Sequence, residues 1–173
     1  MSQSDPLLQI PLLYHFTDRR NLPSIQNCGG LFPKAELDGK GVAIPAAGGN
    51  QWSFDADKTR GLHNYIHLCF RSNHPMEYVA RQDGRIVDSI FLQIHPSVLN
   101  YTGVRFTADV SNKSGVTLYT LEQARDIIDF QVLYTRTDWS DPAIQERLKQ
   151  AEKYEILVPN PIPLSLIRNI TNG

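Results

Sequence analysis

The stretch Lys153-Tyr154-Glu155-Ile156-Leu157-Val158, near the end of the 173-residue chain, is a short apolar strand signal with one carboxylate inside it. Because successive side chains of a strand point to opposite faces, Glu155 is expected to point away from its neighbours Tyr154 and Ile156. A buried acid among apolar residues costs free energy unless it has a partner or a function. Taken alone, the stretch is more ordinarily an edge strand whose Glu155 reaches water, so any functional interpretation depends on the rest of the chain.

Length and composition are those of a globular protein. Hydrophobic residues make up 41% of the chain and charged residues 20%, and we predict a single domain over residues 1–173. No apolar run approaches the roughly 18 residues that span a bilayer, and the start lacks a secretory signal pattern, so a cytoplasmic protein is expected. The net charge of −1 provides no overall attraction for nucleic acid.

The cysteines and histidines do not predict a disulfide or a metal site. Cys28 and Cys69 are too few for a disulfide framework and are expected to pack as small apolar residues. His63 and His67 have the spacing of helical metal ligands, but on a strand they would lie about 13 Å apart. The chain also lacks a glycine-rich phosphate loop and a Gly-x-Ser-x-Gly elbow. Common nucleotide-binding folds are therefore disfavoured.

Local signals divide the chain into short strands and helices. Ile66, Leu68 and Phe70 alternate with polar residues, which predicts a half-buried strand. Gly29-Gly30 predicts the end of a helix, and the pair His74-Pro75 predicts the start of another. Strands are predicted at 10–17, 63–70, 86–94, 104–106, 154–158 and 166–170, and helices at 18–26, 76–82, 120–129 and 141–151. The glycine-rich residues 38–61 are predicted to form a long loop, and such loops are usually functional or mobile.

Three separated groups of residues carry a family resemblance. They are Tyr14-His15-Phe16-Thr17 with Asn21-Leu22; Leu62-His63-Asn64-Tyr65 through Phe70 with Ser72, Pro75-Met76 and Tyr78; and Glu155-Ile156-Leu157-Val158 with Ile162-Pro163. Their order resembles that of the His-Tyr-Glu type of ADP-ribosyltransferases. More closely, the chain looks like the DarT family of toxin-type DNA ADP-ribosyltransferases.

The resemblance implies an α+β fold in which split, mostly antiparallel sheets surround an NAD cleft, with helices at the periphery. NAD would be a co-substrate, and no metal would take part. The resemblance assigns NAD-binding roles to five residues, namely His15, Thr17, Asn21, Tyr65 and Tyr78. Within this set, His15 would bond the adenosine ribose, Thr17 would help to hold the cofactor, and Tyr78 would stack on the nicotinamide ring.

By the same resemblance, Glu155 would contact the ribose next to nicotinamide. As nicotinamide leaves, that sugar acquires oxocarbenium character, and a fixed carboxylate stabilises the developing positive charge. The same carboxylate can take a proton from the incoming nucleophile. Taken singly, His15 and Tyr78 are more ordinarily core residues, so it is their order together with Glu155 that favours catalysis.

The acceptor is predicted to be a nucleic acid, preferably single-stranded DNA, because unpaired bases reach a pocket without leaving a duplex. In the loop, Trp52 can stack on a base while Lys58 and Arg60 contact phosphate. Two departures from the family leave RNA and protein open as acceptors. Residues 48–53 stand where the family has an arginine, and His67 stands where it commonly has a proline.

Two alternatives of different classes stay open at this point. One is an NAD-dependent RNA 2′-phosphotransferase, which uses a related fold, and the other is a catalytically silent binding module. If the resemblance extends to biology, it implies a toxin or phage-defence effector. Its partner would be an antitoxin such as a macrodomain ADP-ribosyl hydrolase.

Overall fold

The computed structural model of the protein describes residues 5–41, 61–111, 113 and 115–170. The strands in this part of the chain are β1 (Leu13–Asp18), β2 (Gly30–Leu31), β3 (Ile66–Leu68), β4 (Ser89–Ile94), β5 (Arg105–Thr107), β6 (Glu155–Val158) and β7 (Ile162–Pro163). The helices are α1 (Leu22–Cys28), α2 (Lys34–Gly39), α3 (Pro75–Gln82), α4 (Leu121–Ile127), α5 (Phe130–Tyr134) and α6 (Pro142–Ala151). This α+β arrangement confirms the predicted fold class.

The strands form small antiparallel sheets. One sheet has the order β3-β6-β5, a second pairs β1 with β4, and a third pairs β2 with β7. Within the described residues, one bridge joins β1 to the residue after β3, where Tyr14 and Cys69 exchange backbone hydrogen bonds of 2.9 and 2.8 Å. Because no ladder continues from this bridge, the first two sheets separate beyond it. The predicted split sheet is therefore present.

The strand that carries Glu155 lies in the middle of its sheet. β6 pairs with β3 on one side and β5 on the other, and all of its residues are buried. The ordinary interpretation of an edge strand with Glu155 in water is therefore wrong. The alternating pattern suggested a solvent-facing side, but the residues that cover this side come from distant parts of the chain.

Capping residues fix several element ends, and those at Gly29 and His74 are where the sequence predicts them. Asp18 accepts from the N–H of Arg20 at the start of a 3-10 helix that leads into α1, and Gly29 ends α1 in the left-handed conformation. His74 caps α3 by accepting from the N–H of Met76, with Pro75 at the first helical position. Thr120 opens α4 through a capping box.

One hydrophobic cluster joins the sheets. Its most buried members include Leu13 and Leu92 from the β1-β4 pair and Leu68, Phe106 and Ile156 from the three-stranded sheet. Both sheets are thus anchored on a shared core. Burial of this kind is the main favourable term in folding.

Some predicted boundaries are wrong. The expected strand 63–70 begins as a 3-10 helix, Leu62–Asn64, before β3. The expected strand 166–170 is replaced by a 3-10 helix, Leu164–Leu166, and Ile167 makes an isolated bridge to Ile94. Apolar residues also fit these short helical turns, which is why periodicity alone misassigns them. The predicted loop 38–61 starts inside α2, and residues 42–60 lie outside the described part of the chain.

None of the helices within the described ranges is long and apolar enough to cross a membrane.

Candidate active site

Glu155 lies at the start of β6 and is almost fully buried, with 8% of its side chain exposed. The backbone N–H of Ser111 donates to its Oε2, and the Ser111 hydroxyl donates to Oε1 at 3.1 Å. A buried carboxylate requires such partners, because burying an unpaired ion costs on the order of several kcal/mol. These contacts fix the carboxylate in one orientation.

The register of β3 and β6 brings His67 to Glu155. His67 pairs with Leu157, two residues beyond Glu155, so the side chains of His67 and Glu155 emerge on the same face of the sheet. The His67 Nδ1 lies 3.1 Å from Glu155 Oε1 and 3.1 Å from the Ser111 hydroxyl. The His67 Nε2 lies 3.1 Å from the carbonyl of Leu62.

A second imidazole approaches from α3. His74 is 2% exposed and stacks on Phe16 with ring centroids 5.8 Å apart. Because its Nδ1 accepts the capping bond from Met76, its proton in the neutral form is on Nε2. This Nε2 lies 4.0 Å from Glu155 Oε2.

The site holds Glu155 in its charged form. Burial by itself would raise the pKa of Glu155, but the hydrogen bond and charge of His67 oppose this, and the charge of His74 and the Ser111 N–H add to that opposition. The pKa of Glu155 is therefore below its usual value. Burial lowers the pKa of His74, which favours the neutral imidazole there.

His15 lies on β1, directly across the split from β3. Its Nδ1 lies 2.9 Å from the carbonyl of His67 and donates to it. Burial lowers the pKa of His15, so the ring is neutral, and its other nitrogen, Nε2, is an acceptor. His67 thus contacts His15 through its backbone and Glu155 through its side chain, and it connects the two predicted residues.

Thr17 and Asn21 form a buried polar pair at the end of β1. The Asn21 side-chain amide donates to the Thr17 hydroxyl at 2.8 Å, and the two residues are 7% and 5% exposed. This bond connects β1 to the residue that precedes α1. The pair therefore has a structural role whether or not it contacts a cofactor.

Tyr65 and Tyr78 are more exposed than Thr17 and Asn21. Tyr65 ends the 3-10 helix before β3 and is partly buried. Tyr78 lies one turn along α3 from His74, and 56% of it is exposed. The core interpretation of Tyr78 is therefore wrong, and its ring is accessible to a ligand. Trp52, Lys58 and Arg60 lie outside the described residues.

The described residues favour neither a metal ion nor a cysteine nucleophile at the site. In the parts of the chain that the structure describes, no group of three or more His, Cys, Asp or Glu residues can hold a metal ion. Cys69 is buried, and burial together with the charge of Glu155 raises the pKa of its thiol. A protonated, inaccessible thiol is a poor nucleophile.

Sequence reasoning did not assign a site role to Ser111, His67 or His74. Ser111 has no local signal, because it reaches Glu155 across a long sequence separation. The sequence predicts His67 as a polar strand residue that departs from a family pattern, with a spacing to His63 that does not suit a metal on a strand, and it predicts His74 at the start of a helix. The register of β3 and β6 could have identified His67 if the pairing had been known.

The resulting arrangement is an ionised, immobilised carboxylate linked through His67 to a neutral histidine acceptor, at the place where two sheets separate. A fixed negative charge in a water-poor site stabilises a cation that forms beside it far better than it would in water. A neutral histidine acceptor is suited to a ribose hydroxyl. The site therefore fits a reaction in which a bound sugar becomes positively charged.

Comparisons with known proteins agree with this chemistry. The sequence model of the DarT family, described as ssDNA thymidine ADP-ribosyltransferase, matches residues 14–172. The structure of Thermus sp. 2.9 DarT in complex with ADP-ribosylated ssDNA matches with a TM-score of 0.68 and 18% identity, over 96% of this chain and 82% of that one. The Thermus sp. 2.9 DarT complex with NAD+ matches with a TM-score of 0.61 and 19% identity, over 92% and 80%.

A longer protein also matches. Thermosipho africanus DarTG in complex with ADP-ribose has a TM-score of 0.72 and 19% identity, over 91% of this chain and 42% of that one. No curated protein sequence matches the chain.

Proposed function

Because the chain belongs to the DarT family of ssDNA thymidine ADP-ribosyltransferases, we propose that it transfers ADP-ribose from NAD to thymidine in single-stranded DNA. The observation that carries this proposal is the state of Glu155. Its carboxylate is buried and ionised, with the three bonds from His67 and Ser111 fixing its orientation. NAD is a co-substrate that is consumed.

The transfer exchanges one bond at the ribose for another. The bond between C1 of the ribose and nicotinamide breaks, and the electron pair leaves with nicotinamide. Glu155 stabilises the positive charge that develops on the sugar. A new bond forms between this carbon and a thymine nitrogen. N1 already carries deoxyribose, so the nitrogen that reacts is N3, whose proton passes to the Glu155 carboxylate.

The cofactor-binding roles of the remaining residues are part of the proposal. His15 accepts from an adenosine ribose hydroxyl through Nε2, because its Nδ1 already donates to the His67 carbonyl. Tyr78 stacks on nicotinamide, supported by its exposure on α3. Thr17, Asn21 and Tyr65 shape the cleft around the cofactor, supported by their position on or beside β1 and β3.

We propose that Trp52, Lys58 and Arg60 hold the DNA strand. Only the chemistry of these side chains supports the assignment, because stacking and phosphate contacts are what single-stranded nucleic acid requires. The net charge of −1 makes such local contacts necessary, since overall charge does not attract the strand.

The proposal also covers the biological role of the protein. We infer a cytoplasmic toxin or phage-defence effector, with a macrodomain ADP-ribosyl hydrolase as its antitoxin and residues 1–173 as one ADP-ribosyltransferase domain. The resemblance to toxin-type DNA ADP-ribosyltransferases supports the toxin role, and the shared core of the described residues supports one domain. The chain matches 42% of the DarTG chain, which leaves room in that protein for a further domain.

An acceptor assay tests the proposed function. The purified chain is incubated with NAD labelled in the adenylate portion and, separately, with a thymidine-containing DNA strand, the same strand with every thymidine replaced by deoxyuridine or deoxycytidine, RNA, and protein. Label on thymidine strands and not on deoxycytidine strands is expected. Because uracil also offers N3, the deoxyuridine strand shows whether the thymine methyl group is recognised. Label confined to RNA or protein would contradict the proposal.

A further inference from the structure

His67 stands beside the catalytic carboxylate, but the proposed reaction gives it no step. It is part-buried on β3, with 27% of its side chain exposed. Its contacts within the described residues include a carboxylate oxygen of Glu155 at Nδ1, the carbonyl of Leu62 at Nε2 and the Ser111 hydroxyl.

The partners of the two ring nitrogens indicate the protonation state of His67. The carbonyl of Leu62 can only accept, so Nε2 donates to it. An ionised carboxylate can also only accept, so Nδ1 donates to Glu155. A ring that donates from both nitrogens is an imidazolium. In the neutral ring with a proton on Nε2, the Nδ1 lone pair would face the carboxylate oxygen at 3.1 Å, which is repulsive.

We propose that His67 is a positioning residue, which as an imidazolium fixes the Glu155 carboxylate in its reactive orientation through the Nδ1–Oε1 hydrogen bond. This inference rests on the proposed function. The contact is charge-assisted, which makes it stronger and more directional than a neutral hydrogen bond. It also adds to the Ser111 bond on the same oxygen, so Oε1 is held from two directions.

Among the described residues, three titratable groups face His67, each from a different element. Glu155 on β6 favours its charged form, whereas His15 on β1 and His74 at the start of α3 disfavour a positive charge. Burial lowers the pKa of both these histidines, which keeps them neutral and limits the repulsion. When His67 loses its proton, the Ser111 hydroxyl can turn from Glu155 to Nδ1, and Oε1 loses both donors.

Two substitutions of His67 distinguish the role of its Nδ1 from the role of its Nε2. In His67→Asn the side-chain amide nitrogen lies near the former Nδ1 and can donate to Glu155, whereas in His67→Gln it lies near the former Nε2 and can donate to Leu62. His67→Ala lacks both donors. Turnover and KM are measured for NAD with a saturating thymidine-containing strand, and a thermal unfolding curve is recorded for each variant.

The expected order of turnover is wild type, then His67→Asn, then the Gln and Ala variants together. The Gln and Ala variants should lose about ten- to a hundredfold in kcat with little change in KM, because a misoriented carboxylate lowers transition-state stabilisation. His67→Asn should recover most of that loss. If Gln restores turnover and Asn does not, His67 acts by anchoring the Leu62 turn, and the proposal is overturned.

A pH profile provides a readout that simple packing would not change. The ratio of wild-type kcat to His67→Asn kcat should fall as pH rises through the deprotonation of His67, because the amide of asparagine does not titrate. A ratio that stays constant with pH contradicts the imidazolium. Wild-type protein that never transfers ADP-ribose would reject the proposed function itself, whereas active wild type with the reversed Asn and Gln order rejects only the role of His67.

Discussion

At Glu155, desolvation and hydrogen bonding compete, and hydrogen bonding prevails. Burial favours the neutral acid, but the donors from His67 and Ser111 favour the carboxylate, and the pKa is lowered as a result. A neutral acid would stabilise a developing sugar cation far less, since it carries no net charge. The neighbours of Glu155 therefore determine whether it can act at neutral pH.

The next residues that bear on function are His15 and Tyr78, which we expect to bind NAD in the ground state as well as the transition state. His15→Asn retains a donor for the His67 carbonyl but lacks the Nε2 acceptor, and Tyr78→Ala lacks the exposed ring. Each variant should weaken NAD binding by about tenfold, as loss of one hydrogen bond or one stacking contact implies. Calorimetric titration with a non-hydrolysable NAD analogue measures this effect.

Val79→Ala is a suitable control for Tyr78→Ala, because Val79 is also exposed on α3. It should bind the NAD analogue as the wild type does. If folded His15→Asn and Tyr78→Ala proteins both bind with wild-type affinity, the cofactor does not lie where we place it.

The burial of His74 predicts how the stability of the fold depends on pH. Its folded pKa is lowered by burial, so below about pH 6.5, the ordinary value for histidine, the unfolded chain binds a proton that the folded chain does not. Stability is therefore fully present above that pH and is lost as pH falls toward the lowered folded value. His74→Asn retains a side-chain cap for α3 but does not titrate.

We expect the melting temperature of the wild type to fall between pH 7 and pH 5 more steeply than that of His74→Asn. The absolute melting temperature can differ, because asparagine does not replace the ring stacked on Phe16. Parallel curves for the two proteins would show that His74 is not held neutral in the fold.

At the scale of elements, the pairing of β2 with β7 depends on one glycine. Gly30 has a φ of +151°, and a Cβ added there would lie 2.0 Å from the carbonyl oxygen of Ile162. Gly30→Ala should therefore lower the free energy of unfolding by about 2–3 kcal/mol, or prevent folding, since backbone must move. Urea titration measures the change.

Gly84→Ala is the matched control for this substitution. Gly84 also has a positive φ, +75°, but apart from its chain neighbours no atom of the described residues lies within 4 Å of an added Cβ. Gly84→Ala should lower the free energy of unfolding by about 1 kcal/mol, which is the cost of placing alanine in the left-handed backbone conformation. Equal losses for both variants would mean that the close approach to Ile162 does not matter.

The sequence predicted most helices because their signals are local. Asp18, Thr120 and Asp141 cap helices within a few residues of where they stand in the chain. The burial of both faces of β6 was not predictable in this way. The residues that cover Glu155, including His67 and Ser111, lie far from it in sequence.

The residues of the site also divide into those that the sequence identifies and those that depend on contacts between distant parts of the chain. His15 and Glu155 were identified through a family resemblance, and the structure links them through His67. Without that resemblance, a lone glutamate on an apolar strand would have been interpreted as a solvent-facing residue. The role of His67 depends on strand register, and a short strand such as β3 gives little register information in its sequence.

For the molecule as a whole, the near-zero net charge constrains how DNA is bound. With a net charge of −1, the protein needs local basic contacts, which we assign to Lys58 and Arg60. Lys58→Ala with Arg60→Ala should weaken binding of the strand and flatten its salt dependence, while slow NAD hydrolysis remains. Filter binding across a range of salt concentrations measures both affinity and slope.

Lys149→Ala with Arg168→Ala removes the same charge from exposed positions and serves as a control. It should leave the salt dependence of DNA binding close to that of the wild type. An equal loss of NAD hydrolysis and transfer in the Lys58 and Arg60 variant would instead assign those residues to the cofactor.

The central claim is that an ionised, immobilised Glu155 drives ADP-ribose transfer, and Glu155→Gln tests it most directly. Glutamine retains the shape of the side chain but lacks the charge, so the fold and NAD binding should persist. Transfer of labelled ADP-ribose to a thymidine-containing strand should fall by about a hundredfold or more. A folded Glu155→Gln protein that binds NAD and labels the strand at the wild-type rate would contradict the account.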